Sequence, residues 1–169
     1  MSSKFNDAVI LDACCGSKMF WFDKDNPDVL FSDIRKENHV LCDGRTLNIS
    51  PDVINDFTNM EFPDGRFKLV VFDPPHMITL GKSSWMAKKY GVLKDDWRNV
   101  IRDGFNECWR VLAEDGVLIF KWSDVDIKVS EVLKLFKHKP LFGHRTMINN
   151  RTIWMCFMKS PQPQSTEER

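Results

Sequence analysis

The sequence predicts an α/β protein: a doubly wound, mostly parallel sheet of seven strands whose C-terminal edge is an antiparallel hairpin. Three observations predict it. Short apolar runs lead into acids at Asp12, Asp33 and Asp73; helical periodicity follows the third run; and two strand-like segments near the C-terminal end flank an Asn-Asn pair.

Taken in order, residues 8–12 (AVILD) are β-branched and meet Cys15, Gly16 and Ser17, the pattern of a buried strand entering a tight turn. Residues 29–33 (VLFSD) repeat it. Residues 67–72 run into Asp73-Pro74-Pro75, where the strand ends because neither proline donates a ladder hydrogen bond. From Trp97 the apolar positions Val100, Ile101, Phe105, Cys108 and Leu112 keep the spacing of one helical face, with Asp95 and Asp96 placed to cap it. Asp115-Gly116 predicts a turn into a strand over 117–122. Ser123 or Asp124 then opens a second amphipathic helix carrying Val129, Val132, Leu133 and Phe136. Runs 141–146 and 152–158, joined at Asn149-Asn150, form the hairpin. Right-handed crossovers put the loops after Asp12, Asp33 and Asp73 on one rim, where such sheets bind ligands. Residues 1–159 are expected to be one domain and the polar 160–169 a disordered tail.

Composition excludes more than it selects. A chain of 169 residues, 43% hydrophobic, supports one substantial core. Lys plus Arg and Asp plus Glu each total 24, so no global field advertises a polyanion and any basic surface is local. No apolar run reaches the roughly 18 residues of a membrane span, and residues 1–7 lack a signal-peptide layout, so a cytoplasmic protein without a membrane partner is expected. Cys14, Cys15, Cys42, Cys108 and Cys156 are odd in number and lack a Cys-x-x-Cys pair. They read as reduced thiols, and no metal is expected; isolated His39 and Cys42 read as packing or surface residues.

Two segments carry chemistry. In the first, Asp12, Ala13, Cys14, Cys15 and Gly16 deliver an acid and a small-residue turn that lets backbone approach a ligand. Asp33, with Ile34 beside it, stands where a carboxylate accepts from two ribose hydroxyls; Asp43 either reaches an adenine amine or is a solvated charge. Phe20-Trp21-Phe22 offers an aromatic face to a cation or packs as a short helical turn. One loop glycine without G-x-G-x-x-G disfavours a dinucleotide. The second segment is Asp73, Pro74, Pro75 and His76 at the end of a buried strand.

These residues resemble class I S-adenosylmethionine-dependent methyltransferases, whose sheet is Rossmann-like. LDACCGSKMF is similar to their first motif in the Leu-Asp-x-x-Cys-Gly-Ser-Gly form of nucleic-acid amino methyltransferases, with Lys18 in place of the second glycine. Phe31-Ser32-Asp33-Ile34-Arg35 is similar to the second acidic motif, and Asp73-Pro74-Pro75-His76 to the Asp-Pro-Pro-aromatic catalytic motif, His76 taking the aromatic place. Glu107-Cys108-Trp109-Arg110-Val111-Leu112 resembles the scaffold segment that follows, and the chain as a whole resembles small methyltransferases of phage and prophage genomes. The resemblance implies S-adenosylmethionine as cofactor, bound by Asp12, Ala13, Cys14, Cys15, Gly16, Asp33, Ile34, Asp43 and Asp73.

An exocyclic amine conjugated to a ring is a poor nucleophile, so its nitrogen must be held in line with the donor methyl. Asp73 and the Pro74 carbonyl each accept one N–H, Pro75 fixes that carbonyl, and His76 stacks on or hydrogen bonds the base. Lys82, Trp85, Lys88, Lys89 and Tyr90 interleave cations with aromatics, a pattern that suits a nucleic-acid backbone and a stacked base, or else a solvated lid. The expected activity is direct methylation of an amino nitrogen, on adenine in DNA or RNA first and cytosine next. Alternatives are a protein amide, a small-molecule nitrogen, or a non-catalytic cofactor-binding protein of the same fold. The chain has no room for a large recognition region, which implies loose specificity, a structured RNA, a recognition partner or a homodimer.

Overall fold

A computed structural model describes residues 3–41, 43–81, 84–145 and 151–160. In chain order the elements are α1 (Ser3–Asp7), β1 (Ile10–Asp12), β2 (Val29–Asp33), β3 (Glu37–Val40), β4 (Thr46–Ile49), β5 (Val53–Ile54), β6 (Phe67–Phe72), α2 (Trp85–Tyr90), α3 (Trp97–Val111), β7 (Leu112–Ser123), α4 (Val129–Val132), β8 (Phe142–Arg145) and β9 (Thr152–Met158), with a 3-10 turn over Leu133–Leu135 continuing α4. Seven strands form one sheet in the order β5-β2-β1-β6-β7-β9-β8. All neighbours are parallel except at β9, which runs antiparallel to both β7 and β8. The expected sheet and its hairpin edge are both present. Chain direction across the sheet switches from leftward to rightward between β1 and β6, so the loops after Asp12 and Phe72 part there and leave a crevice.

The main core lies on one face. Alternate residues of the strands, among them Leu11, Val70, Phe72, Leu118, Phe120 and Phe157, are fully buried against Ile101, Phe105 and Cys108 of α3. Phe136 lies flat on Phe105 with ring centroids 3.8 Å apart. Gly104 is required by close approach: a Cβ there would stand 2.5 Å from the Phe57 ring. The other face has a smaller cluster of Cys15, Val29 and Phe31 with Ile10 and Trp21. It is covered without a helix, because residues 13–28 cross from β1 to β2 through successive turns.

The scaffold segment has a specific job. Glu107 accepts the Met60 N–H at 2.7 Å, and Arg110 donates to the Met60 and Phe62 carbonyls, so one face of α3 pins the loop that feeds β6.

Several expectations are corrected. Asp115-Gly116 does not separate helix from strand; β7 begins at Leu112 and absorbs the pair as an irregularity, with Asp115 at φ 60 and the register against β6 shifted between Phe67 and Leu69. Asp96 occupies the N-cap of α3, but its carboxylate takes the Asn99 side-chain amide, not a backbone N–H. The second amphipathic helix is a single turn; Asp124 accepts the Val129 N–H from a distance across the intervening loop. The β3–β4 hairpin, β5 and α2 were not legible as periodic segments. Asn149-Asn150 and residues 161–169 lie outside the described residues.

Candidate active site

At the crevice, Gly16 (φ 50) and Lys18 (φ 56) both adopt left-handed backbone after β1. The bend therefore keeps the conformation a second glycine would favour, with a lysine in it. Lys18 is held there by donating to the Lys24 carbonyl at 3.0 Å and by lying 4.0 Å from the Phe31 ring centre.

Three acids ring the crevice. Asp12 is fully buried, accepts the Trp21 indole N–H at 2.7 Å, and is pushed up to about 7 by burial despite that bond, with Asp73 and Asp33 adding like-charge repulsion. Asp33 accepts the Gly16 N–H at 2.9 Å on one oxygen and the Arg35 backbone N–H at 2.9 Å on the other. Arg35 also pairs with it at 3.2 Å and donates to the Lys88 carbonyl, tying the end of β2 to α2. Asp73, at the end of β6, is paired with Lys121 of β7 at 2.5 Å. Burial pushes its carboxyl upward, and Lys121 opposes that.

Two adjoining cavities meet at Asp73. The first is lined by Cys14, Gly16, Phe20, Pro74 and Trp154, the second by Met77, Met86, Trp122, Ser123 and Thr152. Asp73, His76, Tyr90 and Lys121 wall both. His76 is buried, with its ring centre 6.1 Å from that of Trp122 and 6.2 Å from that of Tyr90. Burial lowers its pKa, so the imidazole is neutral near pH 7, and it hydrogen bonds the Pro74 backbone. Burial and the neighbouring acids hold the Cys14 thiol well above its ordinary range, which keeps it protonated.

The structure thus brings together Cys14, Cys15, Gly16, Asp73, Pro74, His76, Lys89 and Tyr90. Asp12, Ala13 and Asp33 lie directly behind that wall. Ile34 is exposed, and Pro75 serves as backing: a Cβ on Gly91, just past α2, would stand 2.9 Å from its ring. Asp43 sits in the turn of the β3–β4 hairpin, exposed and paired with Arg45, and does not line the cavity, which matches the solvated-charge reading. Trp85 is half exposed, and Lys88 contributes its carbonyl to Arg35; Lys82 lies outside the described residues. The aromatic triplet divides three ways. Phe20 lines the cavity, Trp21 packs edge-on to Phe31, and Phe22 is fully exposed at 110%. Sequence reasoning missed Lys121, Trp154 and Arg35. Register or a long-range pairing reveals their place, and the sequence signal for Lys121 is a lone cation within the otherwise apolar run 117–122.

Solved structures share this architecture. A TehB-like S-adenosylmethionine-dependent methyltransferase from Corynebacterium glutamicum is 18% identical, with TM-score 0.54 over 92% of this chain and 82% of that one. The 1,6-didemethyltoxoflavin-N1-methyltransferase of Burkholderia thailandensis, solved with 1,6-didemethyltoxoflavin and S-adenosylhomocysteine, is 13% identical, with TM-score 0.51 over 93% and 73%. The chain shares the fold of these two methyltransferases. A protein of Pyrococcus horikoshii is equally similar, at 13% identity and TM-score 0.54 over 89% and 81%. The chain matches no protein-family model and no curated protein sequence.

Proposed function

We propose that this chain is an S-adenosylmethionine-dependent methyltransferase acting on an exocyclic amino nitrogen of a nucleobase, adenine in DNA or RNA first. The observation that carries the reading is the position of Asp73 in the wall that the two cavities share, with Pro74 beside it on the side of the first. A donor in one cavity and an amine in the other would face each other across that wall.

The residues of the first cavity fit the cofactor. A sulfonium and an α-amino group are cations that Asp73 on the cavity wall would attract, while Arg35, Lys89 and Lys121 on the same lining suit the cofactor's carboxylate. The cavity's aromatic walls already accept a positive charge: the Lys121 ammonium stands 5.6 Å from the Phe20 ring centre and 5.4 Å from that of Trp154. When bound, the cofactor supplies an electrophilic methyl group. The residues that would hold it are Cys14, Cys15 and Gly16 through backbone, Phe20 through its face, and Asp33 once its carboxylate exchanges Arg35 for ribose hydroxyls.

In the second cavity the protein orients an amine. Among the described residues, Oδ1 of Asp73 accepts no hydrogen bond while Oδ2 takes Lys121. Oδ1 and the Pro74 carbonyl, which His76 also engages, would each take one N–H and draw the nitrogen toward tetrahedral geometry. Tyr90 and His76 offer flat faces to a planar ring. With Cys14 held as a thiol, the cavity offers no thiolate, which favours direct transfer over a covalent intermediate.

A second reading, methylation of a small-molecule or protein amide nitrogen, is favoured by the Burkholderia protein, whose own activity is named as an N1-methylation. Incubation with labelled cofactor and separate DNA and RNA pools, followed by mass identification of methylated nucleosides, tests the first reading. Asp73→Ala is expected to lower transfer at least about 100-fold while leaving cofactor affinity nearly unchanged. Label appearing only in small molecules or protein, or full activity of that variant, would overturn it.

A further inference from the structure

We infer that Lys121 is a positioning residue for Asp73: from the neighbouring strand its ammonium holds one carboxylate oxygen and keeps the group ionised, leaving the other oxygen free to accept an amine N–H. The inference rests on the methyltransferase reading of this site and adds a residue to it.

Register places the pair. Phe72 of β6 lies opposite Phe120 of β7 in parallel pairing, so the next residue of each strand, Asp73 and Lys121, come side by side. Phe120 and Trp122 point into the core and are fully buried, so the alternation of β7 turns Lys121 to the opposite face, toward the crevice. There Nζ meets Oδ2 at 2.5 Å with both side chains largely buried, at 20% and 17% exposure. A lysine has three donors and Asp73 uses one. The Phe20 and Trp154 rings flank the ammonium and shield it from water.

Asp73 needs this partner. The charged and titratable groups around it are Asp12 at the end of β1, Cys14 and Cys15 just after it, Arg35 just after β2, Lys121 from β7, His76 from its own turn, and Lys89 and Tyr90 from α2, all but Asp12 lining the same cavity. Asp12 repels it when ionised, and His76, lowered by burial, brings no charge near neutral pH. Lys121 is the cation in direct contact among the described residues. Without it, burial favours the protonated acid. A protonated carboxyl presents O–H, a donor, in place of the acceptor the amine requires.

The test compares Lys121→Met, Lys121→Gln and Lys121→Arg with the unaltered chain. On a nucleic-acid or free-base amine substrate, the acid limb of the kcat/KM profile is expected to move up by at least about one pH unit in the Met and Gln variants, with at least about tenfold loss at pH 7 and recovery toward pH 9. Arg should keep the original limb. Independently of turnover, 13C NMR of aspartate-labelled, cofactor-free protein, with the Asp73 signal assigned through Asp73→Asn, should show that carboxyl titrating at least about one unit higher in both neutral variants. Should Met prevent folding, Gln decides. Identical Asp73 titration in all forms overturns the inference, as does a loss of rate that is uniform across pH. If the unaltered chain methylates no amine, the reading of the site fails instead, and the carboxyl titration still decides the role of Lys121.

Discussion

Asp12 shows how one buried carboxyl couples stability to ligand charge. Its folded pKa, about 7 against an ordinary 3.8, means the folded protein holds a proton that the unfolded chain releases. The resulting stabilisation is complete below about pH 4 and is lost as pH rises through 7, an effect on the order of 2–4 kcal/mol. Asp12→Asn, which keeps an acceptor for Trp21, is therefore expected to gain melting temperature over the unaltered cofactor-free protein progressively from pH 5 to pH 8. Thermal unfolding across that range checks it, and a constant difference would remove Asp12 from the titration. Lys18 teaches a different lesson at the same scale. The sequence shows a lysine where the resembled family has glycine, and only the coordinates show that the left-handed bend persists, secured by the Phe31 face and the Lys24 carbonyl.

Among the elements, the Asp-Pro-Pro turn is braced from outside the site. Asp126, in the loop between β7 and α4, accepts the Ile78 and Thr79 N–H groups at 2.8 and 3.2 Å and the Thr79 hydroxyl at 3.0 Å. It anchors the chain just after His76 to the strand that carries Lys121. Asp126→Ala should free those two amides, with local opening easier by about 1–1.5 kcal/mol and exchange roughly tenfold faster, while global stability changes little. Hydrogen exchange resolved at Ile78 and Thr79 measures this directly. Why some elements were legible follows from burial. α3 announces itself because it buries one continuous face, Trp97, Ile101, Phe105 and Cys108. β3 and β4 do not, because among the described residues their hairpin buries Leu47 and Ile49 alone and its β3 side is mostly exposed. The two readings of Asp43 stayed open for the same reason: nothing in LCDG distinguishes a solvated hairpin turn from a rim loop.

For the whole molecule, stability is concentrated on one face of the sheet. Phe136 closes that core, stacked on Phe105 and in contact with Phe120 and Phe157. Phe136→Ala is expected to cost about 3–5 kcal/mol, seen as a lower denaturant midpoint with an unchanged slope. A changed slope would mean that the core is not one cooperative unit. The opposite face, built on Trp21, Phe31 and Val29, carries the bend after β1 on turns instead of a helix.

The buried strands, the acids at their ends, and the Asp-Pro-Pro turn were set by local chemistry, because alternation, β-branching and the missing proline donors act over a few residues and can be read from them. The partnership of Lys121 with Asp73, the hold of Arg35 on Asp33 and Lys88, and the division between two cavities were decided only in three dimensions. Each depends on register or packing between segments as many as 53 positions apart, and no local pattern encodes which side chain the neighbouring strand will bring alongside.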